Sequence, residues 1–185
     1  EEFFEAFLAQ VDHSFDLMIN AYNAVTAIHA TRQNMPFASM CVDDCISKGT
    51  TLQQGGAKYS YSGALADGLA NAIDSLAAVK QFVFDEKSLT AEEVLKACDT
   101  DFENEALRQR LLNKAPKYGN DVDEVDHIGH RIVKHINEMI EPYRDSRGAR
   151  FCFDIESQSY NIVQGKCVGA TPDGRKAYTP LGDNV

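Results

Sequence analysis

"VGATPDGRKAYTPLGDNV", Val168 to Val185, carries three glycines, two prolines and the basic pair Arg175–Lys176. Gly169 and Gly174 stand at the spacing of a phosphate-binding loop, whose backbone N–H groups wrap a phosphate. That chemistry calls next for lysine and then serine or threonine, to reach the phosphate and hold magnesium. Here the two positions are Arg175 and Lys176, with Ala177 following. Pro172 interrupts the loop, and Pro180 falls where the required helix would run. The residues fit a Pro–Asp–Gly turn better than a nucleotide cradle.

Upstream lies "ARFCFDIESQSYNIV", Ala149 to Val163, which alternates like a strand and breaks at Gly165. Phe151, Phe153 and Ile155 share one parity, Asp154 and Glu156 the other, so one face is apolar and one acidic. Two carboxylates turned to a cavity would suit acid–base work; turned to solvent they are an exposed strand edge. Before it, "NDVDEVDHIGHRIVKHINEMIEPY" predicts a long helix from about 121 to 141. Its apolar face is Val122, Val125, Ile128, Ile132, Ile136 and Ile140. His127, His130 and His135 ride on it with Asp123 and Asp126. The pairs Asp123–His127 and Asp126–His130 are one turn apart, a spacing that fits a solvated charged face better than a metal site lacking its third ligand. The carboxylate spacing of "NDVDEVD" lacks the glycine and closing glutamate of a calcium loop.

Further out, residues 2 to about 33 predict a long amphipathic helix through Phe3, Phe4, Phe7, Leu8, Val11 and Phe15. Pro36 opens a second helix through Cys41 and Cys45 to Gly49. "QQGGAKYSYSG", Gln53 to Gly63, reads as a turn and a short strand bearing Tyr59 and Tyr61. Residues 66 to 84 read as a buried helix. A further helix follows Ser88 or Thr90 as cap, and another spans 103 to 114, stopped by Pro116 and Gly119. The class is α/β, mostly helical, with two or three strands.

The 185 residues suffice for one ordinary domain, and 44% hydrophobic with 25% charged is a soluble globular balance. The formal net charge of -10 disfavours nucleic acid and anionic membrane surfaces as partners. No apolar run reaches bilayer-spanning length, and the acidic start does not resemble a secretory leader. The five scattered cysteines predict a reducing cytoplasm rather than a disulfide framework. Cys41 and Cys45, at helical i, i+4 spacing, read as small buried hydrophobes rather than a metal pair. No serine or cysteine sits in a nucleophile-elbow context. The chain begins inside an amphipathic pattern and stops in a loop, so the expectation is a section of a longer polypeptide.

Four stretches together resemble one family: "APKYGNDVDEVD" (Ala115 to Asp126), "VGATPDGRKAYTPLGDNV", "GGAKYSYSG" (Gly55 to Gly63) and "DSLAAVKQFVFDEK" (Asp74 to Lys87). Their order and spacing are similar to those of the glycyl radical enzymes, in the dehydratase/lyase branch related to pyruvate formate-lyase. The resemblance implies that residues 1–185 are an internal part of an α/β barrel of two half-barrels wrapped by helices. It implies thiyl radical chemistry that cleaves C–C, C–O or C–N bonds of a small polar substrate. It also implies a glycyl radical installed by a separate activating enzyme using S-adenosylmethionine and an iron–sulfur cluster, and a cytoplasmic homo-oligomer of anaerobic metabolism.

The family's Gly-Cys-Val-Glu type loop and its Arg-Val-x-Gly-Tyr type loop are absent from this sequence. No catalytic residue, metal ligand or cofactor carries over, and the chain alone is expected to be inactive. The segment after "RGARF" corresponds to a substrate-facing barrel strand, which implies Glu156 and Phe153 as substrate-binding residues, with Tyr61 as a further one. Diol dehydratase-like members often have a tyrosine where this chain has Glu156, and many relatives have Gly-Pro-Gln-Gly where it has "GALADG". The reaction therefore stays open among diol or amino-alcohol cleavage, decarboxylation and similar reactions. The competing reading from the residues is a non-catalytic helical interaction domain; a nucleotide-binding domain rests only on the imperfect loop.

Overall fold

The computed structural model describes residues 1–155 and 159–183. The chain divides into two compact units, one of residues 1–64 and 134–154, the other of residues 65–133 and 155–185.

The first unit is built on α1, Glu2–Arg32. Leu8, Ile19 and Thr26 are its most buried residues, with Phe4, Val11, Phe15 and Tyr22 half-buried in the same stripe. This three-to-four-residue recurrence is why the sequence folds as an amphipathic helix. The expected second helix is two: α2, Pro36–Met40, and α3, Cys45–Lys48. Asp44 separates them with φ +73°, a left-handed conformation that no helix continues through. Cys41 is exposed and Cys45 buried, so the two do not share a helical face. Buried Ser39 ties the pieces together, donating to the Met35 carbonyl (2.8 Å) and accepting from the Leu52 amide (3.0 Å). Strand β1, Tyr61–Leu65, pairs with β2, Arg150–Asp154, in a two-stranded sheet.

The second unit holds α4, Leu69–Val79, then α5, Ala91–Asp99, and α6, Glu105–Lys114. Thr90 is the cap of α5: its hydroxyl accepts from the Glu93 amide (3.2 Å) while the Glu93 carboxylate accepts from the Thr90 amide (2.8 Å). Asn104 caps α6 one-sidedly, its side-chain oxygen accepting from the Leu107 amide at 3.1 Å. The expected helix over 66–84 is α-helical only to Val79. Lys80–Asp85 form a π-helical turn, closed by the Glu86 amide on the Gln81 carbonyl at 2.8 Å. This turn buries Phe82 in a core with Ala78, Ala97, Phe102, Leu111 and Ala115. Fully burying side chains of this size contributes roughly 1.5–3 kcal/mol each.

Helix α7, Asp123–Ile140, contributes to both units and buries Val125, Gly129, Ile132, Ile136 and Ile140. At Gly129 a Cβ would stand 2.9 Å from the Ile73 Cδ1, so glycine lets α4 and α7 approach closely. The expected strand over 149–163 ends at Asp154, and Tyr160–Gly165 form a short helix, α8. The terminal loop decides this: the Asn161 side chain donates to the Leu181 carbonyl (3.1 Å), and the Leu181 amide to the Asn161 carbonyl (3.2 Å). No helix of the described residues is long and apolar enough to cross a membrane.

Candidate functional site

The β1–β2 sheet has two unlike faces. On one face Phe151 meets the Tyr22 ring edge-on at 5.5 Å, and Phe153 meets Phe15 at 6.2 Å. Ser62 and Ala64 of β1 are buried at 1% and 2% exposure. This face is covered by the aromatic stripe of α1. The alternate residues, Tyr61 and Gly63 on β1 with Arg150, Cys152 and Asp154 on β2, are exposed and form an open face.

The register of these strands is fixed by a buried charge. Asp145, in the loop before β2, has no exposed side-chain surface. Its Oδ1 accepts from the backbone amides of Arg147 and Ala149, both at 2.8 Å. Its Oδ2 accepts from the Ser62 hydroxyl (2.8 Å) and from the Arg147 guanidinium at Nε (2.8 Å) and Nη2 (2.5 Å). Burial alone would raise this carboxyl; the Arg147 guanidinium, the Ser62 hydroxyl and the two amides outweigh it and hold the pKa below the ordinary carboxylate value. The loop closes with the Asp145 amide on the Ala149 carbonyl and with Gly148 at φ +82°. Sequence reasoning missed this network. Its one local signal is "DSRG", an aspartate poised to accept from the backbone two residues on, with a turn glycine beside it.

Of the residues expected to bind substrate, Tyr61 is 64% exposed on the open face. Phe153 is half-buried and turned to Phe15 on the covered face. Glu156 lies outside the described residues. Asp154, which shares the parity of Glu156, stands on the open face.

The loop that opens the sequence reading folds as a turn. The Gly174 amide donates to the Thr171 carbonyl at 3.0 Å, with Pro172 and Asp173 between and Gly174 at φ +94°. Arg175 is buried, and its donors are consumed inside the loop. Nε goes to the Thr171 hydroxyl (3.2 Å), Nη1 to the carbonyls of Lys176 (3.1 Å) and Thr179 (2.8 Å), and Nη2 to those of Val168 (3.5 Å) and Gly169. The amides of Thr171, Arg175, Ala177 and Tyr178 are likewise taken, by Arg175, Asp173, Asp101 and Val168. A phosphate would find neither a guanidinium nor a nest of free amides there. Asn71 of α4 anchors the loop at both ends, donating to Asp173 and accepting from the Gly182 amide, each at 2.6 Å.

Of the three histidines, His135 pairs with Asp12 at 2.6 Å. His127 and His130 line an open cleft of about 710 Å³ with Ile73, Tyr118 and Asp126. Among the described residues, no three histidine, cysteine or carboxylate groups are placed to hold a metal ion. Burial first, then Asp173 and Asp99, push the half-buried Cys98 thiol up to about 11, away from the thiolate form.

Residues 1–165 match the family described as pyruvate formate lyase-like. The chain is 35% identical over its whole length to trans-4-hydroxy-L-proline dehydratase of Clostridioides difficile, covering 24% of that protein. It superposes on the glycerol-bound form of the B12-independent glycerol dehydratase from Clostridium butyricum with TM-score 0.89 and 43% identity, over 98% of this chain and 23% of that one. On hydroxyproline dehydratase from C. difficile with substrate bound, the TM-score is 0.92 at 35% identity, over 99% and 23% of the two chains. The chain thus spans about a quarter of the length of these relatives. Both the covered-and-open sheet and the helices around it belong to that shared structure, and the chain is a member of the pyruvate formate lyase-like glycyl radical enzymes, in their dehydratase/lyase branch.

Proposed function

We propose that the full-length protein is a glycyl radical lyase or dehydratase that cleaves a C–C, C–O or C–N bond of a small polar substrate. The observation that carries the reading is whole-chain likeness, at 35–43% identity, to two dehydratases whose structures hold glycerol and trans-4-hydroxy-L-proline. The glycyl radical supplies hydrogen-atom abstraction when installed. The sequence contains neither loop that bears the radical glycine or the reactive cysteine, so no radical step is routed through these residues. Their part is to shape one wall of the substrate cavity. In this reading the open face of β1–β2 is turned to substrate. Tyr61 offers a phenol and Phe153 supports the strand from behind through Phe15, while Glu156 is taken as a substrate-binding residue from the family resemblance of its segment. A separate S-adenosylmethionine and iron–sulfur activating enzyme is the expected partner, and the active form is a cytoplasmic homo-oligomer.

The test is anaerobic activation of the native full-length polypeptide, followed by electron paramagnetic resonance. A glycyl radical doublet and turnover of a small polyol, amino alcohol or hydroxy acid are expected. Glu156→Gln should then lower turnover about 100-fold or more while leaving the radical yield unchanged. Absence of the doublet would refute the enzyme reading, and unchanged kinetics in the variant would remove Glu156 from the cavity.

A further inference from the structure

We infer that the outer face of α1 is a helix-docking surface, and that its occupant is an apolar-faced helix of the same polypeptide from outside residues 1–185. The inference rests on α1 itself and is independent of the radical chemistry.

Helix α1 is apolar on two opposite faces. Its inner stripe buries Leu8, Ile19 and Thr26 within its own unit. Leu17 and Ile28 stand two residues from Ile19 and Thr26, about 200° around the helix. They are therefore on the far side, 59% and 58% exposed. Exposed Ala21 and Ala24 lie between them, so the outer face reads Leu17, Ala21, Ala24, Ile28, at spacings of four, three and four. That is the seam spacing of two helices packed side by side. The two alanines let a partner helix approach to about 8 Å between axes.

A solvated face would be built differently. From Leu17 through Thr31 there is no aspartate, glutamate, lysine or arginine. At the chain's average of 25% charged, these fifteen residues would hold about four. A helix with no charged side to turn to water is covered on that side too. Size and charge then name the occupant. The same unit exposes Phe37, Met40 and Ile46 on α2 and α3, and Met40 and Ile46 border an apolar pocket of about 160 Å³, room for one aliphatic side chain. Apolar surface on this scale is an interaction surface. In the relatives about three quarters of the polypeptide lies outside the part that this chain matches, ample to supply the cover. A second copy would instead bring another net charge of -10 against the first.

The experiment uses the native full-length polypeptide. Hydroxyl-radical footprinting reads side-chain access without any substitution. Left uncovered at 59% and 58% exposure, Leu17 and Ile28 would be oxidised only about twofold more slowly than in the denatured protein. Covered, they should be slowed about tenfold or more. Photocrosslinking then identifies the cover. Leu17→photo-leucine keeps the shape of the side chain, so folding is preserved. Irradiation should join residue 17 to a peptide from outside residues 1–185 and leave a monomer-sized product after denaturation. A dimer-sized product would assign the face to a second copy and overturn the inference. Slowing of only about twofold, or no crosslink beyond residues 1–185, would overturn it equally.

Discussion

Replacing Asp145 by asparagine tests what fixes the register of the candidate site. The asparagine oxygen can still accept from the Arg147 and Ala149 amides. Its NH2 then confronts three donors that had shared Oδ2: the Ser62 hydroxyl and two guanidinium N–H groups of Arg147. Arg147, 15% exposed at its side chain, loses its only ion-pair partner among the described residues. Breaking one partner of such a buried pair costs about 3–5 kcal/mol. Hydrogen exchange is the appropriate assay, because it reads local opening in the full-length protein. Peptides covering residues 59–65 and 144–152 should exchange about two to four orders of magnitude faster in Asp145→Asn at neutral pH, up to the limit set by global unfolding. Acid provides the sign. Asp145 is held below its ordinary pKa of 3.8, so its contribution is fully present above that value and lost as pH falls through the folded one. After correction for intrinsic rates, the gap between parent and variant should therefore close toward acid pH. Unchanged exchange in both peptides, or a gap indifferent to acid, would refute the assignment.

Asp74 gives the opposite sign. Burial raises its carboxyl, against the Tyr118 amide at 2.8 Å and the Lys117 ammonium at 3.8 Å. Asp74→Asn keeps an acceptor for the amide, so stability at pH 7 should change by no more than about 1 kcal/mol. As pH falls through the raised folded value toward 3.8, the parent should gain stability relative to the variant; a loss over that window would contradict the burial argument. At Gly165 a Cβ would stand 2.3 Å from the Thr179 carbonyl oxygen and 2.7 Å from the Pro180 Cα. Those are backbone atoms that cannot step aside, so Gly165→Ala should cost about 3 kcal/mol and release the terminal loop. Trypsin should then cut after Arg175, which is 8% exposed in the parent. Identical cleavage patterns would show that the loop tolerates the methyl group.

Helices with sustained periodicity were legible from sequence because their signal is spread over many residues. The apolar stripe of α1 and the Val125–Ile140 face of α7 survive any single exception. The failures share a different cause. The break between α2 and α3 rests on the backbone of one residue, Asp44, which no side-chain period reports. The switch from strand to α8 is imposed by Leu181, twenty residues downstream of Asn161. Local alternation over 149–163 could not register that contact. The π-turn at Lys80–Asp85 kept a helical composition, so only its hydrogen bonding distinguishes it. As for the site, the two faces of β2 were readable from parity, but which face was covered was decided by Phe15 and Tyr22, more than a hundred residues away.

The charged groups of this chain sort by how fully their hydrogen-bonding capacity is used. Arg175 has five N–H donors and all are spent on its own loop, so a phosphate-like spacing of glycines encloses a structural arginine rather than an anion site. Asp145 is surrounded by five donors and has nothing left to offer a ligand. Both are buried, and either would attract attention if burial and charge alone marked a functional residue. Saturation argues the other way. A group whose partners all come from its own fold holds loops in place, and the work of recognition falls to groups with unspent capacity on a surface that a cavity can enclose. On β1–β2 the fold presents Tyr61 and Asp154 on the face that α1 leaves uncovered, with their polar groups exposed.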